Sequence, residues 1–355
     1  MRRVLIPTNI ASETFHADGE MLNLRGESMG TTWSVRFIDP TPIDINRHHA
    51  WQQRIQDQLD LVVAQMSHWQ SDSDLGRFNS AAAGSWHTLP QSFFEVLNYA
   101  LRIAAESDGA YDPTAGALVN VWGFGPQGRY DQTGFETPDE TAIEKARAQS
   151  GWQKLNVDTG ARKILQPGEL LLDLSAVAKG FSVDLIADML KNHGIENYLV
   201  EVGGELRGAG VKPDGMPWWV ALEQPTPKQS NAAGLIEQMP PALSETIVAL
   251  HQLSIATSGD YRRFYQANDT YISHTIDPRS GYPIRNNIAS VTVLHPSCMA
   301  ADALSTALTV LGVDDGLAFA EAHQFAARFL IRNELASDGN GFSERSSSEF
   351  LAMLQ

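Results

Sequence analysis

Residues 299–308, with the sequence MAADALSTAL, are the stretch around which we interpret the rest of the chain. Apolar side chains recur through and just beyond it at helical spacing, at Ala301, Leu304, Leu308 and Leu311. This period predicts a buried helix, and the glycine at position 312 is a suitable end for it. We therefore treat the other segments as a frame around this helix.

Three oxygen-bearing side chains crowd one patch of this apolar helix. Asp302 and Thr306 lie one turn apart, and Ser305 lies beside them. A buried carboxylate is unfavourable unless something positive meets it, and the segment contains no Lys or Arg. A hard cation such as Mg²⁺ is one solution, because it prefers oxygen ligands. The alternative is structural: the Asp caps a neighbouring backbone and the hydroxyls bond to the preceding turn.

Composition excludes several classes of protein. The chain has 355 residues, enough for one large domain or two lobes, and its 26 basic and 42 acidic residues give a net charge of −16. Such an excess of acid argues against nucleic-acid binding and against binding to anionic membranes. No apolar run approaches the length of a transmembrane segment. A phosphate-bearing ligand would need a metal to offset the charge.

The N-terminal sequence and the cysteine content bear on compartment. The first residues, MRRVLIP, include two charges but no sustained apolar region, so they do not resemble a signal peptide. The single cysteine, Cys298, excludes an internal disulfide framework and is too far from the N-terminus for lipid attachment. As written, the sequence predicts a cytoplasmic protein. A periplasmic or cell-envelope protein with a different N-terminus would give the same pattern.

Helical and strand patterns are interspersed along the chain without a repeat. This order predicts an α+β fold of two lobes around a central cleft, with mixed or antiparallel sheets flanked by helices. We expect a polar N-terminal lead at 1–25, the main domain at 26–335 and a C-terminal tail at 336–355. Within the domain, a segment rich in Pro, Gln, Ser and Ala predicts an insertion at about 225–246.

Two predicted strands carry polar residues at their ends. The apolar run at 170–174 predicts a buried strand that turns at Ser175, and Asp173 interrupts it. A buried carboxylate in that position favours a functional role. A helix beginning near Lys179 and a strand at 198–202 follow, so the 173–179 loop should lie beside Gly203-Gly204. Helix starts and glycine-rich turns suit phosphate, although neither a P-loop nor a dinucleotide fingerprint is present.

Four further features admit both a functional and a structural interpretation. Met29-Gly30, at the start of a strand predicted over 26–37, would let a flat ligand approach the backbone or would simply enter the core. Trp69 lies in a polar loop, where it either stacks on a ligand or packs. Residues 110–126 combine aromatic side chains with Gly and Pro, typical of a rigid loop or a corner. His274 taken alone is more typical of a core than of a site.

Seven sequence blocks occur in the order known from one family. They are SMGTT at 28–32, GAYDPT at 109–114, LDLSAVAKG at 172–180, VGGE at 202–205, ATSGDY at 256–261, HTIDPRSG at 274–281 and ADALSTAL at 301–308. Over about residues 26–312 the chain resembles the ApbE family, the FAD:protein FMN transferases. The resemblance implies a magnesium-dependent enzyme that splits FAD, joins FMN through a phosphodiester to a Thr or Ser hydroxyl of a target flavoprotein, and releases AMP.

The resemblance also implies roles for individual residues, carried over by position. The implied magnesium ligands are the carbonyl of Ala176 and the side chains of Asp302 and Thr306, with Ser305 nearby. The implied FAD contacts are Met29, Ala110, Tyr111, Asp112, Asp173, Lys179 and Ile276, with Trp69 beside a flavin or adenine ring. His274 is the first candidate for proton transfer, followed by Asp260 and Asp277.

Two rival functions stay open at this point. Water in place of the protein hydroxyl would make the chain an FAD pyrophosphatase that yields FMN and AMP, and loss of turnover would make it a flavin-binding carrier. Many members of the family are exported and anchored through a lipid-bearing cysteine, whereas this sequence predicts neither feature. The compartment and the acceptor protein therefore stay open as well.

Overall fold

The structure is a computed structural model that describes residues 3–8, 18–224, 245–267, 270–333 and 341–355. Within these residues it is an α+β fold, as predicted. The helices are α1 (Ile45–Met66), α2 (Asp74–Asn79), α3 (Gln91–Glu106), α4 (Gly116–Val121), α5 (Glu140–Gln149), α6 (Ala178–Asn192), α7 (Cys298–Leu311), α8 (Val313–Ala322) and α9 (Ser348–Ala352), with a 3-10 helix at Trp152–Lys154.

The strands run from one end of the described chain to the other. They are β1 (Arg3–Leu5), β2 (Glu20–Ser28), β3 (Thr31–Asp39), β4 (Trp86–Thr88), β5 (Asn156–Asp158), β6 (Lys163–Leu165), β7 (Tyr198–Val202), β8 (Glu205–Ala209), β9 (Trp218–Ala221), β10 (Thr246–Leu250), β11 (Leu253–Gly259), β12 (Phe264–Ala267), β13 (Thr270–Ser273), β14 (Ile276–Asp277), β15 (Tyr282–Pro283), β16 (Ile288–His295), β17 (Ala326–Arg332) and β18 (Phe342–Ser346).

An eight-stranded sheet organises the fold. Its strand order is β18-β17-β16-β11-β8-β7-β3-β2, and every neighbouring pair is antiparallel. One face packs against a smaller mixed sheet, β1-β10-β9, and against α9. The opposite face carries α1 and α6 over its β2-β3-β7 end, and α3 and α7 over its β11-β16-β17 end. The predicted mixed and antiparallel sheets flanked by helices are therefore confirmed.

The helix predicted from residues 299–308 is α7, and most of its side chains are buried. Apolar side chains at Ala301, Leu304 and Leu308 are buried in the largest core cluster. The helix packs between α6 and strands β11 and β16. It ends at Gly312, whose φ of 88° is readily adopted only by glycine. Polar side chains on α7 consequently reach the surface only where a cavity meets the helix.

Two predicted strands differ from the observed structure. The strand predicted over 26–37 is two strands of a hairpin, which turns at Met29-Gly30. The strand predicted over 170–174 is wrong: within it only Leu171 makes a bridge, to Ala115. Leu172 instead exchanges both backbone hydrogen bonds with the Asn79 side chain. The side chains of this apolar run alternate in burial as in a strand, but the polar backbone groups bond to loops and a side chain.

Both terminal segments contribute to the sheets. Strands β1 and β2 begin within the predicted N-terminal lead, and β18 and α9 lie within the predicted tail. The predicted insertion at about 225–246 lies outside the described residues except at its end, where Thr246 begins β10. No helix among the described residues has the length and apolar character needed to cross a membrane.

Candidate active site

A cavity of about 390 Å³ lies over the exposed side of α7 and collects most of the predicted site residues. It is lined by the β2-β3 turn, residues 110–124, the start of α6, the end of β11 and residues 274–278. The rigid loop or corner predicted at 110–126 is partly a helix, since α4 occupies Gly116–Val121. The predicted residues that line it are Met29, Ala110, Tyr111, Asp112, Asp173, Ala176, Lys179, His274, Ile276, Asp302 and Thr306. Segments far apart in sequence thus meet where the resemblance implied.

Met29 reaches the cavity because of the hairpin turn. Its φ of 51° places it in the left-handed region, which is uncommon for a residue with a side chain, and Gly30 follows with φ 70°. The full register of the β2-β3 pair, from Glu20↔Asp39 to Ser28↔Thr31, fixes the position of the turn. The turn therefore presents Met29, Gly30 and Thr31 at the cavity wall.

The two carboxylate oxygens of Asp302 have different surroundings. Oδ2 accepts a hydrogen bond from the backbone N–H of Gly180 at 2.9 Å, and so caps the first turn of α6. Among the described residues, Oδ1 has only a more distant cation, the ammonium of Lys179 at 3.6 Å. Asp302 is 3 % exposed and lines the cavity. One oxygen is thus held by the fold, and the other keeps its coordinating capacity.

The donor set around Asp302 suits a hard cation. The carboxylate of Asp302, the hydroxyl of Thr306 and residue Ala176 line the same cavity, and oxygen donors of this kind are what Mg²⁺ prefers. Thr306 Oγ1 lies 3.0 Å from Ser258 Oγ, which fixes its rotamer. No group of three or more His, Cys, Asp or Glu suited to a metal occurs among the described residues. A cation here would therefore have fewer than three such side chains among its ligands, and Asp302 is the carboxylate that the predicted set supplies.

Ser305 is placed differently from its neighbours on α7. Its side chain is fully buried and does not line the cavity. The Oγ donates to the backbone carbonyl of Asp302 at 2.9 Å and lies 2.9 Å from Ser258 Oγ. These bonds make Ser305 a support for Ser258, which does line the cavity.

Lys179 and Glu205 form a buried ion pair at the cavity wall. The Lys179 ammonium lies 2.7 Å from Glu205 Oε1, and Glu205 is 1 % exposed. Burial raises the pKa of Glu205 to about 7, while the ammonium of Lys179 opposes that rise. For Lys179, burial acts to lower the pKa but the two neighbouring carboxylates outweigh it, so the pKa lies above its usual value. The pair confirms that the start of α6 lies beside the Gly203-Gly204 turn.

His274 is oriented by a backbone carbonyl. Its Nδ1 lies 3.0 Å from the carbonyl oxygen of Arg263, which can only accept, so Nδ1 is the donor. The neutral ring then carries its lone pair on Nε2, as a general base requires. Desolvation lowers the pKa of His274 to about 4, so the neutral form prevails at physiological pH. The ring is partly exposed and lines the cavity.

Tyr111 and Asp112 form the wall contributed by residues 110–124. The Tyr111 hydroxyl is buried without a hydrogen-bond partner among the described residues, and burial raises its pKa. Asp112 accepts from the backbone of Thr114 and Trp152, at 2.8 and 3.1 Å, which anchors the loop. Its pKa is nevertheless raised, because desolvation outweighs those bonds.

A second cavity, of about 260 Å³, adjoins the first at Asp173. His68 lines both cavities, and its Nδ1 lies 3.4 Å from a carboxylate oxygen of Asp173. Trp69 lines only the second cavity; its ring is 5.3 Å from His68, and the guanidinium of Arg129 lies over it at 5.7 Å. Trp69 is therefore beside the main cavity and not in its wall.

Asp260 and Asp277 are not brought to the cavity. Both carboxylate oxygens of Asp260 pair with Arg332, with Oδ1 at 2.6 Å from the guanidinium. Asp277 forms a two-point pair with Arg279 in its own turn, at 2.9 and 3.0 Å. Neither residue lines the cavity. Arginine neutralises both carboxylates, so their geometry favours structural pairing over proton transfer.

Sequence reasoning missed the positive side chains of the cavity other than Lys179. Arg262 and Arg263 both line it, although the chain as a whole is strongly acidic. Arg262 donates to the carbonyl of Gly203 at 3.1 Å and pairs with Glu223. The available signal was the Arg-Arg pair immediately after the ATSGDY block. Carboxylates at Asp112, Asp173, Glu205 and Asp302 line the same cavity, so a phosphate there would meet charges of both signs.

Comparison with known proteins finds relatives of this chain. The model of the ApbE family matches residues 29–329. The FAD:protein FMN transferase of Vibrio cholerae is 38% identical over 335 residues, which cover 94% of this chain and 93% of that protein. The protein of the same name from Haemophilus influenzae is 37% identical over 93% of this chain and 91% of its own length. The solved structure of the flavin transferase ApbE from Vibrio cholerae superposes with a TM-score of 0.79 at 37% identity, covering 94% of this chain and 99% of that one.

Proposed function

This chain belongs to the ApbE family, and we propose that it transfers FMN from FAD to a Thr or Ser hydroxyl of an acceptor flavoprotein, with Mg²⁺, and releases AMP. One observation carries the proposal. An oxygen donor set, cationic side chains and a neutral histidine line the same cavity. Those three features are what a phosphoryl transfer between two large substrates requires.

Asp302, Thr306 and the carbonyl of Ala176 would hold the magnesium ion. Bound there, Mg²⁺ would offset the negative charge of the pyrophosphate and favour its attack by an oxygen nucleophile. Lys179, Arg262 and Arg263 line the same cavity and supply further positive charge for the phosphates. Together with Mg²⁺, these cations would offset both the carboxylates of the cavity wall and the two phosphates of the dinucleotide.

His274 is the proposed proton acceptor. Its Nε2 removes the proton from the acceptor hydroxyl as the oxygen attacks the phosphorus of the FMN half. The new O–P bond forms, the bond from phosphorus to the bridging oxygen breaks, and AMP leaves with the bonding electron pair. The Arg263 carbonyl holds the ring in the required tautomer. Asp260 and Asp277 stay weaker candidates, because each pairs with an arginine.

The remaining predicted residues bind FAD in this proposal. Met29, Ala110, Tyr111, Asp112, Asp173 and Ile276 form the cavity wall. Backbone at Met29-Gly30 allows close approach of a planar ring, and the Tyr111 hydroxyl offers a hydrogen bond that no described residue uses. Trp69 stacks on a ring that extends into the second cavity.

Mass spectrometry of a candidate acceptor flavoprotein tests the proposal. After incubation with this protein, FAD and Mg²⁺, the acceptor should gain the mass of FMN, and EDTA should abolish the gain. His274→Gln should reduce transfer about 10²-fold or more, the usual contribution of a general base. His323→Gln, which alters an exposed histidine on α8, is the matched control.

Measuring AMP without the acceptor separates the rival functions. Rapid AMP release that does not depend on acceptor would indicate a pyrophosphatase. Tight FAD binding with neither AMP nor modified acceptor would indicate a carrier. Either outcome would overturn the transferase proposal.

A further inference from the structure

Lys179 lies between two buried carboxylates at unequal distances. Its ammonium is 2.7 Å from Glu205 Oε1 and 3.6 Å from Asp302 Oδ1. The shorter separation is a charge-assisted hydrogen bond, whereas the longer one is an electrostatic contact only. The ammonium is therefore held by Glu205 and merely faces Asp302.

The position of Lys179 matters because of the oxygen that it faces. Asp302 Oδ2 already accepts from Gly180, so Oδ1 is the oxygen left for a cation. An ammonium bonded to Oδ1 would occupy the direction from which Mg²⁺ must approach, and two cations would repel one another there. Without a stronger partner, Lys179 would make that bond, since its side chain is only 29 % exposed and a largely desolvated ammonium is stabilised by a counter-charge.

Glu205 is well placed to be that stronger partner. It begins β8 directly after the Gly203-Gly204 turn, where φ values of 62° and 99° direct the chain back along β7. Its side chain is buried, so the carboxylate is held in place by packing. Its other oxygen, Oε2, has no hydrogen-bond partner among the described residues. Among the described residues the Lys179 ammonium is the hydrogen-bonded counter-charge of Glu205, and Arg262 adds a weaker electrostatic contribution.

We propose that Glu205 is a positioning residue, which holds the Lys179 ammonium away from Asp302 Oδ1 and thereby keeps that oxygen open to Mg²⁺. The inference rests on the magnesium-dependent transfer proposed above. It assigns Glu205 an effect on metal binding without making it a ligand. The effect should therefore disappear when Lys179 no longer carries a charge.

Calorimetric titration with Mg²⁺ alone, at pH 8 without FAD, tests this through a double-mutant cycle. Glu205→Gln should weaken Mg²⁺ binding about tenfold, because Lys179 then bonds to Asp302; that size corresponds to an ordinary pairwise coupling. Lys179→Met should bind Mg²⁺ more tightly than the wild type. In the Lys179→Met background, Glu205→Gln should change Mg²⁺ affinity less than about twofold.

Controls keep the outcomes distinct. Glu196→Gln removes one exposed carboxylate outside the cavity, and should leave Mg²⁺ affinity unchanged. An equal loss from Glu205→Gln in both backgrounds would overturn the proposal, since it would indicate a direct effect of the charge. Weaker Mg²⁺ binding by Lys179→Met would also overturn it, even if Glu205→Gln fails to fold. If the wild type neither binds Mg²⁺ nor transfers FMN, the proposed function itself fails.

Discussion

Two buried aspartates, Asp184 and Asp302, perform reciprocal tasks on neighbouring helices. Asp184 on α6 accepts from the backbone N–H groups of Cys298 and Met299, both at 3.0 Å, and so caps α7. Asp302 on α7 accepts from Gly180 and so caps α6. Each helix therefore begins against a carboxylate from the other.

The difference between the two lies in their second contacts. Asp184 also binds the Arg207 guanidinium at 2.7 Å and the Ser297 hydroxyl at 2.8 Å, so both of its oxygens are fully engaged. Asp302 has one engaged oxygen and one that meets only a distant ammonium. The comparison teaches that burial alone does not mark a functional carboxylate. The mark is an oxygen that the fold leaves available in a cavity.

The largest expected effect is on catalysis at Asp302. Asp302→Asn keeps an oxygen that can accept from Gly180 but removes the negative charge, so transfer of FMN should fall about 10³-fold with little change in melting temperature. Rates measured by mass spectrometry, with thermal unfolding in parallel, check this. Activity within tenfold of the wild type would mean that the available oxygen is not used.

Asp184 should show the opposite pattern. Asp184→Ala removes two hydrogen bonds at the start of α7, where the Ser297 cap remains, and leaves the Arg207 charge partly buried, so the free energy of unfolding should fall by about 3 kcal/mol. Urea denaturation followed by circular dichroism measures the loss. A stability loss no larger than that of Asp302→Asn would remove the distinction between the two carboxylates.

His274 likewise has one nitrogen held by the fold, Nδ1, and one left available, Nε2. Its buried position predicts that stability depends on pH. Because burial favours the neutral ring, the folded protein should titrate this histidine near pH 4, below the unfolded value of 6.5. As pH falls below about 6.5, the unfolded chain binds the proton before the folded protein does. The contribution of His274 to the free energy of unfolding is therefore lost progressively as pH falls from about 6.5 to 4. NMR titration of labelled histidine, assigned with His274→Gln, measures the midpoint. A midpoint near 6.5 would contradict the assigned environment.

The smallest effect is expected at Ser305. Ser305→Ala should change Mg²⁺ affinity less than about threefold, because the hydroxyl supports Ser258 and does not line the cavity. Thr306→Val, which removes a hydroxyl that does line it, should weaken Mg²⁺ binding by a larger factor. Calorimetry compares the two variants directly, and equal losses would make Ser305 a ligand.

Local patterns predicted the helices well. The 3.6-residue period located α7 and its end at Gly312. The apolar run at 170–174 predicted a strand that the structure lacks, because such a run reports which side chains are inside but not what the backbone bonds to. The hairpin turn at Met29-Gly30 was read as a strand entry, because nothing in the sequence placed β2 beside β3.

The sequence blocks predicted many of the residues that line the cavity. They did not predict the contacts that depend on tertiary structure. Asp302, Thr306 and Lys179 lie in such blocks and line the cavity. Glu205 also lies in one, yet its role depends on its distance from Lys179, which no linear pattern gives. His68 reaches Asp173 across 105 positions, and long-range pairs of this kind depend on the packing of the whole domain.

The reciprocal contacts of Asp184 with α7 and of Asp302 with α6 affect when the site forms during folding. The first turn of α6 begins at Val177, which offers no capping side chain, so its N–H groups depend on α7. Lys179 lies in that turn and reaches its position only once the two helices have docked. Neither helix alone forms the proposed cation site. A partly folded intermediate in which α6 and α7 have not docked would therefore bind neither the metal nor the dinucleotide.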